Sequence, residues 1–358
     1  MKIGVDCRLS GVSHAGIGRY IENLIRRLPK FAPEINWVYF YRNKNQVIPN
    51  IEAQSHIIPI RHYTLQEQIQ MFSIFNQAKL DLLHVPHFNV PIMYSKKLVI
   101  TIHDLLWHQH RGTQVTTLKP WEYWGKYTGY RLVASRAIKK ADKILVPTQT
   151  IEKTLNEYYP ESKDKIVVTH EGVDSGLLKF KDIKIKKENK TLIYVGSLYP
   201  HKNVRLVIKA LEQLPGWRLI IVGSRNAFQD QIRAQAKKNG VEKQVNFTGY
   251  LSDQDLASEI KGATALVQPS LSEGFGLTGI EALALNTPVL ASNIPVFKEI
   301  YQDAVIYFNP LLVDSLVKSV KNLSKKKPTQ KQMAAVTMQY SWDEMTKKTV
   351  KVYRSLCS

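Results

Sequence analysis

The amino-acid sequence predicts an α/β protein with two domains, each built around a parallel sheet. Short apolar runs alternate with helical stretches along all 358 residues. Many of these runs are almost continuous in Val, Ile and Leu, which is typical of strands that helices cover on both faces. Twelve such runs are more than one sheet comfortably holds, and a chain of this length can form two domains.

The predicted strands fall into two groups along the chain. The first group comprises Lys2–Asp6, Val38–Tyr41, His56–Ile60, Leu82–Val85, Leu98–Ile102, Ile144–Pro147 and Ile166–Thr169. The second comprises Leu192–Val195, Arg218–Val222, Val245–Thr248, Ala265–Gln268 and Val289–Ala291. We therefore expect an N-terminal domain over residues 1–178 and a C-terminal domain over residues 191–340.

The segment between the groups, Lys179–Lys190, holds six lysines and few large apolar residues. This composition is typical of a linker, and a solvated loop inside one domain is the alternative. Beyond the second domain, apolar residues recur at helical spacing from Trp342 to Tyr353. This spacing predicts a last helix within residues 341–358.

The composition excludes several classes of protein. Hydrophobic residues make up 44% of the chain, as in folded globular proteins. No apolar run approaches the roughly 20 residues that cross a bilayer. Met1–Asp6 predicts a strand and not a signal peptide, and the two cysteines, Cys7 and Cys357, make neither a disulfide framework nor a zinc cluster. We therefore expect a cytoplasmic protein.

The formal net charge of +20 indicates an anionic partner, unless it serves only solubility. Phosphorylated small molecules and anionic lipids are the candidates. The sequence contains no RNA-binding aromatic signature, zinc-finger spacing or basic region followed by heptads. We therefore expect no nucleic-acid partner.

Two glutamates flank a glycine turn after the predicted strand Ala265–Gln268. Glu273 begins this turn, and Glu281 lies eight positions later in a helix-like run. Ligands of open α/β sheets bind at the carboxyl ends of strands, where glycines admit a ligand and helix N–H groups suit an anion. The alternative is structural, because Thr278-x-x-Glu281 also matches a capping box.

The string Glu273-Gly274-Phe275-Gly276-Leu277, continued by Glu281-Ala282, resembles the E-x7-E signature of retaining glycosyltransferases of family 4. The resemblance implies a GT-B fold, in which two Rossmann-like domains with parallel sheets face each other across a cleft. It further implies that the last helix, within residues 341–358, packs back on the N-terminal domain. It also implies that Glu281 holds the ribose of a nucleotide sugar. Glu273 then holds hydroxyls of the transferred sugar, beside the backbone of Gly274, Phe275, Gly276 and Leu277.

A second match begins where the strand Leu192–Val195 ends. The run from Tyr194 to Asn203 resembles the phosphate-binding turn of the family, which includes Gly196. Lys202 stands where the family has its diphosphate-binding lysine, whereas Ser197 stands where many members have an arginine. Because Ser197 lacks the positive charge of that arginine, His201 or Arg205 is the alternative source of a second positive charge for the diphosphate.

Gly16-Ile17-Gly18 follows the first strand and resembles the family's N-terminal glycine loop, whose backbone faces the donor phosphates. The full G-x-G-x-x-G fingerprint is not completed, since Ile21 occupies the third glycine position. This argues against a nicotinamide dehydrogenase. Gly249-Tyr250 resembles the loop whose backbone contacts the base.

His103 and Asp104 follow the strand Leu98–Ile102, where family members commonly have His-Asp. The resemblance places His103 beside the donor sugar and the acceptor, with Asp104 on the acceptor side. The alternative is that both residues cap the next helix. Further along, His170–Asp174 resembles an architectural turn that closes the first domain.

These matches imply an enzyme that moves a hexose, with mannose from GDP-mannose favoured, to a hydroxyl of a glycan or lipid-linked acceptor. The resemblance implies that the reaction retains the anomeric configuration and belongs to cell-surface polysaccharide biosynthesis. The implied catalytic residues are His103, Glu273 and Lys202. Alternatives are a GT-B nucleotide-sugar epimerase or hydrolase, which would lack the two-glutamate string, and a non-catalytic basic binding module.

No Asp-x-Asp sequence directly follows a predicted strand. The resemblance implies a metal-independent enzyme without cofactor, because lysine and helix N-termini neutralise the leaving diphosphate. No metal ligand is therefore expected.

Aromatic and basic residues are interleaved between Lys119 and Lys143, with seven Lys or Arg, two acids and five aromatic rings. Aromatic rings beside cations suit a lipid headgroup region. We therefore expect peripheral binding to the anionic inner face of the membrane. Packing of these rings in the core is the alternative.

Overall fold

The chain forms two units, each organised around one parallel sheet, which confirms the predicted fold class. The structure, a computed structural model, describes residues 1–11, 15–109, 112, 116, 119–173, 175–223 and 228–357. The first unit contains most of the chain up to Glu171 together with the C-terminal helix. The second contains Gly172–Tyr340.

The sheet of the first unit has seven parallel strands in the order β3-β2-β1-β4-β5-β6-β7. The strands are β1 (Lys2–Asp6), β2 (Asn36–Tyr41), β3 (Gln54–Ile57), β4 (Leu82–Val85), β5 (Leu98–Thr101), β6 (Lys143–Val146) and β7 (Ile166–Val168). Each of these strands overlaps a predicted one. Buried apolar runs mark β1, β2, β4, β5 and β6, whereas β3 is exposed and β7 is half-buried.

The helices of the first unit cover both faces of its sheet. They are α1 (Ala15–Phe31), α2 (Leu65–Gln77), α3 (Leu106–Gln109), α4 (Pro120–Lys140), α5 (Gln149–Tyr158) and the C-terminal helix, here called α15 (Trp342–Cys357) because nine helices of the second unit precede it. Thr64 and Thr148 are the N-caps of α2 and α5, and each accepts a hydrogen bond from a backbone N–H three residues on.

The C-terminal helix is anchored in the first unit by polar and aromatic contacts. Arg27 Nε on α1 donates to Asp343 Oδ1 at 2.7 Å. The Tyr353 hydroxyl lies 2.5 Å from Nδ1 of His84 on β4. Burial lowers the pKa of His84 to about 3, so this imidazole is neutral at physiological pH. The tail therefore belongs to the core of the first unit.

The sheet of the second unit has six parallel strands in the order β10-β9-β8-β11-β12-β13. The strands are β8 (Thr191–Val195), β9 (Arg218–Val222), β10 (Val245–Gly249), β11 (Ala265–Gln268), β12 (Val289–Ser292) and β13 (Ile306–Phe308). The strand β13 was not predicted from the sequence, because its three residues are too few to show a pattern.

Nine helices accompany this sheet in the described part of the second unit. They are α6 (Ser175–Leu178), α7 (Val204–Leu211), α8 (Gln229–Lys238), α9 (Asp253–Gly262), α10 (Leu277–Ala284), α11 (Pro295–Tyr301), α12 (Val313–Lys321), α13 (Leu323–Lys326) and α14 (Gln330–Thr337). Successive residues of β8 belong to opposite cores, with Leu192 in one and Ile193 in the other. Both faces of the sheet are therefore buried, as its apolar strands require.

The chain passes between the units at Glu171 and Gly172. The predicted boundary after residue 178 lies further along, because Leu177 is buried in the core of the second unit and Phe180 packs against that core. The predicted linker Lys179–Lys190 lies inside the second unit. Its backbone is tied to α9, since Glu188 N donates to Gly262 O at 2.7 Å.

In each sheet the strand order reverses once, between β1 and β4 in the first unit and between β8 and β11 in the second. Connections leave such a point in opposite directions, which opens a crevice beyond the carboxyl ends of the two strands. Within the described residues, no helix combines the length and apolarity needed to span a bilayer.

Candidate functional site

Two of the predicted site residues meet at the reversal point of the second sheet. Lys202 follows β8 and Glu273 follows β11. Lys202 Nζ donates to Glu273 Oε1 at 2.6 Å. The side chains are 23% and 15% exposed, so this ion pair is partly buried yet open to a ligand.

The two loops that carry this pair are held together by their backbones. Leu271 N donates to His201 O at 2.8 Å. Asn203 adopts a left-handed conformation with φ 55°, and its Nδ2 donates to the carbonyls of Pro269 and Pro310 at 3.1 and 2.8 Å. Asn203 thus fixes the position of Lys202, a role that the sequence analysis missed.

The carboxylate of Glu273 is held in its charged form. Burial by itself raises the pKa of this carboxyl group, but the Lys202 ammonium and the hydrogen bonds from Lys202 and Ser270 outweigh it. Ser270 Oγ donates to Glu273 Oε1 at 2.7 Å. The net pKa of Glu273 therefore lies below its ordinary value, and the group is an acceptor at physiological pH.

The helix α10 begins directly after the glycine turn, with Gly276 as its N-cap at φ 101°. A Cβ at Gly276 would lie 2.2 Å from the Tyr301 hydroxyl, so packing as well as backbone conformation demands glycine. That hydroxyl lies 2.5 Å from Gly276 O and 2.6 Å from Gln268 Oε1. The Tyr301 hydroxyl therefore holds the glycine turn in place.

The capping-box alternative for Glu281 is wrong. Gly276 is the N-cap, which places Thr278 inside the helix, where its Oγ1 accepts from Gln268 Nε2 at 2.7 Å. Glu281 lies on the second turn of α10 and is 1% exposed. A buried carboxylate at this position is not explained by capping.

The residues between Glu273 and Glu281 differ in their exposure to solvent. The Phe275 side chain is 3% exposed and packs edge to face on Tyr340, with ring centroids 5.3 Å apart. Only its backbone therefore remains for a ligand. Gly274 and Leu277 are intermediate in exposure. The first N–H groups of α10 have no acceptor within the helix, as at every helix start.

The turn after β8 is shaped by glycine and by Tyr194. Gly196 has φ 147°, and the Tyr194 hydroxyl donates to Ser197 O at 2.5 Å. A Cβ at Gly223, after β9, would lie 2.5 Å from Gly196 O. Gly223 therefore lets the neighbouring strand ends approach each other, a requirement that the sequence analysis did not identify.

Gly249 and Tyr250 follow β10, the edge strand of the same sheet. Gly249 has φ 74°, and its carbonyl accepts from Gly223 N at 3.1 Å. The Tyr250 ring is 61% exposed. The structure therefore places the predicted base-binding loop at the carboxyl edge of the sheet, two strands from β8.

In the first unit, His103 follows β5 and is oriented by a carboxylate. His103 Nδ1 lies 3.3 Å from Glu171 Oε1. The Tyr20 ring packs edge to face on the imidazole, with centroids 4.7 Å apart. His103 Nε2 is buried and has no hydrogen-bond partner among the described residues. One nitrogen is thus fixed by Glu171 and the other is available to a ligand.

Glu171 was not identified as a functional residue from the sequence, where it belongs to the run His170–Asp174. Asp174 itself lies outside the described residues. Asp104 accepts from Leu106 N at 3.1 Å through Oδ1, which fits the capping alternative for this residue.

The two glycines at the start of α1 differ in their surroundings. A Cβ at Gly18 would lie 2.1 Å from Gly11 O, so this glycine permits two backbone segments to cross. No described atom comes within 4 Å of a Cβ at Gly16, which is exposed. Gly16 is therefore exposed, whereas Gly18 is buried.

The aromatic residues of α4 are divided between surface and interior. Trp121 and Trp124 are 69% and 51% exposed, and Lys119 Nζ lies 5.2 Å from the Trp121 ring. Tyr123 is buried, and the Tyr130 hydroxyl lies 2.6 Å from His108 Nδ1. The core-packing alternative therefore describes Tyr123, whereas the two tryptophans face solvent.

Comparison with known proteins agrees with these features. The family model described as Glycosyltransferase Family 4 matches residues 14–177, and the model described as Glycosyl transferases group 1 matches residues 178–338. Together they cover residues 14–338, which contain every strand of the two sheets except β1.

Among curated relatives, the chain is 25% identical over 303 residues to the O-antigen chain mannosyltransferase RfbU of Salmonella typhimurium, covering 84% of this chain and 80% of that protein. It is 30% identical over 174 residues to the O-antigen chain mannosyltransferase B of Escherichia coli, covering 46% and 45% of the two chains.

Among experimental structures, sucrose-phosphate synthase from Thermosynechococcus elongatus matches with a TM-score of 0.78 at 17% identity over 99% of each chain. Anabaena HepE in complex with UDP and glucose matches with a TM-score of 0.75 at 16% identity, over 99% of this chain and 100% of that one. These likenesses concern the fold. With both family models matched in succession and the E-x7-E turn at the sheet reversal, the chain belongs to glycosyltransferase family 4 and has the GT-B fold.

Proposed function

We propose that this glycosyltransferase moves a hexose from a nucleoside diphosphate sugar to a hydroxyl of a glycan or lipid-linked acceptor, with retention of configuration. The observation that carries the proposal is the pairing of Lys202 with Glu273 at the reversal point of the second sheet. A cation for a diphosphate and a carboxylate for sugar hydroxyls lie side by side there.

Donor binding is assigned to the second unit. The Lys202 ammonium moves from Glu273 to an oxygen of the diphosphate, and Glu273 then accepts hydrogen bonds from the sugar hydroxyls. The N–H groups that open α10 add partial positive charge. Glu281, which is 1% exposed, is assigned to the ribose hydroxyls, where a buried carboxylate is a strong acceptor.

Transfer breaks the bond between the anomeric carbon and the diphosphate oxygen, and the bonding electrons leave with the diphosphate. The acceptor oxygen attacks the same face, and its proton passes to the departing phosphate oxygen. Charge accumulates on the diphosphate in the transition state, so positioned donors such as Lys202 lower the barrier. Glu273 needs no covalent role in this scheme.

The first unit is assigned to the acceptor. His103 Nε2, which has no partner among the described residues, is the group that contacts sugar hydroxyls there. Gly16 and Gly18 are assigned to a backbone contact with the donor phosphates, as the family resemblance implies.

Mannose from GDP-mannose is the donor we favour. Its support is that both curated relatives described above are named mannosyltransferases of O-antigen chains. The same names favour a place in cell-surface polysaccharide biosynthesis. A UDP-hexose is the alternative donor, since HepE was crystallised with UDP.

Metal-independent transfer is part of the proposal, because Lys202 and the start of α10 supply the positive charge that a divalent cation would otherwise provide. Peripheral binding at the inner face of the membrane is also proposed, with Trp121 and Trp124 of α4 in the headgroup region.

Proton NMR of the product tests the proposal. The enzyme is incubated with GDP-mannose and a panel of alkyl glycosides, with and without EDTA. We expect a new anomeric signal with the α configuration of the donor and an initial rate that EDTA leaves unchanged. A product of inverted configuration contradicts retention, and a rate abolished by EDTA and restored by Mg²⁺ or Mn²⁺ contradicts metal independence.

A further inference from the structure

The loop that carries Glu273 is closed at its base by one buried hydroxyl. Residues 269–275 connect Gln268, the last residue of β11, with Gly276, the N-cap of α10. The Tyr301 hydroxyl lies 2.5 Å from Gly276 O and 2.6 Å from Gln268 Oε1, and its one proton is shared between these two acceptors. Tyr301 therefore ties the residue before the loop to the residue after it.

The Gln268 amide extends this closure into α10. Its Nε2 donates to Thr278 Oγ1 at 2.7 Å. Gln268 is 5% exposed, and Tyr301, the last residue of α11, is 0% exposed. Water does not compete for hydrogen bonds between groups as buried as these. The end of β11, the start of α10 and the end of α11 are therefore held in one arrangement.

Glycines make room for the phenol beneath the first turn of α10. A Cβ at Gly279 would lie 2.3 Å from the Tyr301 hydroxyl and 2.2 Å from Gln268 Oε1. Gly279 lies inside the helix, where glycine is destabilising relative to alanine. Glycine at this position is therefore explained by the phenol that packs against it and not by the helix.

The side from which the start of α10 is held matters for a ligand. Ser252 and Thr329, the N-caps of α9 and α14, each accept from a backbone N–H three residues on. Such a cap occupies an N–H group of the first turn. Gly276 has no side chain for this purpose, and Tyr301 contacts its carbonyl oxygen instead. This contact uses no N–H group of the first turn.

The phenol keeps its proton in this position. Burial, reinforced by the negative charge of Glu273, raises the pKa of the Tyr301 phenol well above its ordinary value. The hydroxyl is therefore a donor throughout the physiological pH range. The closure of the loop does not depend on pH in that range.

We propose that Tyr301 is a positioning residue of the donor site, which holds the Glu273 loop and the start of α10 at the spacing that a nucleoside diphosphate sugar requires. Because Tyr301 is fully buried, it acts through Glu273 and the first turn of α10. This inference rests on the proposed glycosyl transfer and adds to it a residue that lies outside the E-x7-E string.

The test is steady-state kinetics of Tyr301→Phe, with GDP-mannose or UDP-glucose as donor, whichever the wild type uses, and a methyl glycoside as acceptor. Phenylalanine keeps the ring that stacks on Phe297, with centroids 5.0 Å apart, and removes only the hydroxyl. We expect kcat/KM for the donor to fall about tenfold and KM for the acceptor to change by less than about twofold. An unchanged kcat/KM for the donor overturns the proposal.

Tyr307→Phe is the matched control in the same unit. The Tyr307 hydroxyl lies 3.0 Å from Phe297 O and 2.8 Å from Gln302 O, so this variant also loses a phenol that binds two oxygens at α11. It leaves the Glu273 loop untouched, and we expect kcat/KM for the donor to stay within about twofold of the wild type. A loss equal to that of Tyr301→Phe overturns the proposal, because the effect would then belong to α11 in general.

Thermal unfolding of the same preparations separates positioning from stability. A residue that only supports the fold lowers the unfolding midpoint and leaves kcat/KM of the folded protein unchanged, and that result overturns the proposal. We expect the opposite emphasis in Tyr301→Phe, with a folded protein at the assay temperature and a loss in kcat/KM. Titration calorimetry with GDP or UDP should show binding weakened by about fivefold, because the start of α10 is assigned to the diphosphate.

Gly279→Ala tests the seat of the phenol without changing Tyr301. The added methyl group displaces the hydroxyl, so we expect kcat/KM for the donor to fall at least about tenfold although alanine favours a helix. Gly262→Ala in α9 is the control, since a Cβ there meets its nearest atom, Ile185 Cγ2, at 3.6 Å. Unchanged kcat/KM in Gly279→Ala, or an equal loss in Gly262→Ala, overturns the proposal.

The failure of this inference differs from the failure of the proposed function. A wild-type protein that neither binds nor cleaves any GDP- or UDP-hexose contradicts the proposed function, and this inference with it. A wild-type protein that transfers sugar, accompanied by a Tyr301→Phe variant that transfers it equally well, contradicts only the role of Tyr301.

Discussion

The Lys202 ammonium and the Glu273 carboxylate form a 2.6 Å ion pair although 70 residues separate them in the chain. They meet because β8 and β11 are neighbours in the sheet and point the same way. Their loops therefore emerge at the same edge. The ion pair fixes the orientation of both side chains.

We predict that Lys202→Ala damages transfer much more than Ser197→Ala does. Of these two residues, only Lys202 can neutralise the charge of a diphosphate, and a charge-assisted hydrogen bond is worth about 1.5–3 kcal/mol. Steady-state kinetics should show kcat/KM for the donor reduced by about 10- to 100-fold in the lysine variant and by less than about threefold in the serine variant. Equal, small effects on nucleoside diphosphate binding would show that this turn is not the phosphate site.

We predict that Glu281→Gln lowers donor efficiency by about 10- to 100-fold with little change in thermal unfolding. The amide keeps the shape of the carboxylate but loses a charged acceptor for the ribose. Kinetics and calorimetry on the same preparation check both parts. A variant that unfolds many degrees earlier and still transfers sugar normally would show that Glu281 only supports the fold.

The free energy of unfolding should depend on pH through the ionisation of Glu273. Its folded-state pKa lies below the ordinary value of 4.5, so its ionised form stabilises the fold above that pH. As the pH falls below about 4.5 and through the lowered pKa, this contribution is lost. Denaturant unfolding at several pH values should therefore show a wild-type advantage over Glu273→Gln that is constant near neutrality and declines in acid. An advantage that grows in acid contradicts the sign of the shift.

The exposed tryptophans of α4 should bind anionic membranes. Vesicles with acidic lipids should co-sediment the protein at low salt, neutral vesicles should not, and salt should release it, because each nearby cation contributes about 1 kcal/mol that screening removes. Trp121→Ser with Trp124→Ser should weaken sedimentation. Leu311→Ser with Leu312→Ser is the control, since these residues are 75% and 56% exposed in the second unit. Indifference to vesicle charge contradicts the prediction.

Much of the fold can be predicted from local sequence, because strands that are buried on both faces need runs of Val, Ile and Leu. Such runs can be recognised without knowing which other strands pair with them. The same holds for the two glutamates and Lys202, which lie in contiguous motifs at strand ends. The strand β13 escaped prediction, since a three-residue strand gains its stability from β12 and not from its own pattern.

Other parts of the site depend on contacts between distant segments. Glu171 lies 68 positions from His103, and Tyr301 lies 25 positions from the Gly276 carbonyl that it braces. Nothing in the local sequence around either residue marks such a role.

We infer that the second unit binds and activates a nucleoside diphosphate sugar. The most direct test of this inference is release of free nucleotide from a panel of GDP- and UDP-hexoses, measured for the wild type and for Lys202→Ala. We predict release that depends on the sugar, is greatest with GDP-mannose, rises with an alkyl glycoside acceptor and falls at least about tenfold in the variant. Equal release in both proteins, or none from any donor in the presence of acceptors, would contradict the account.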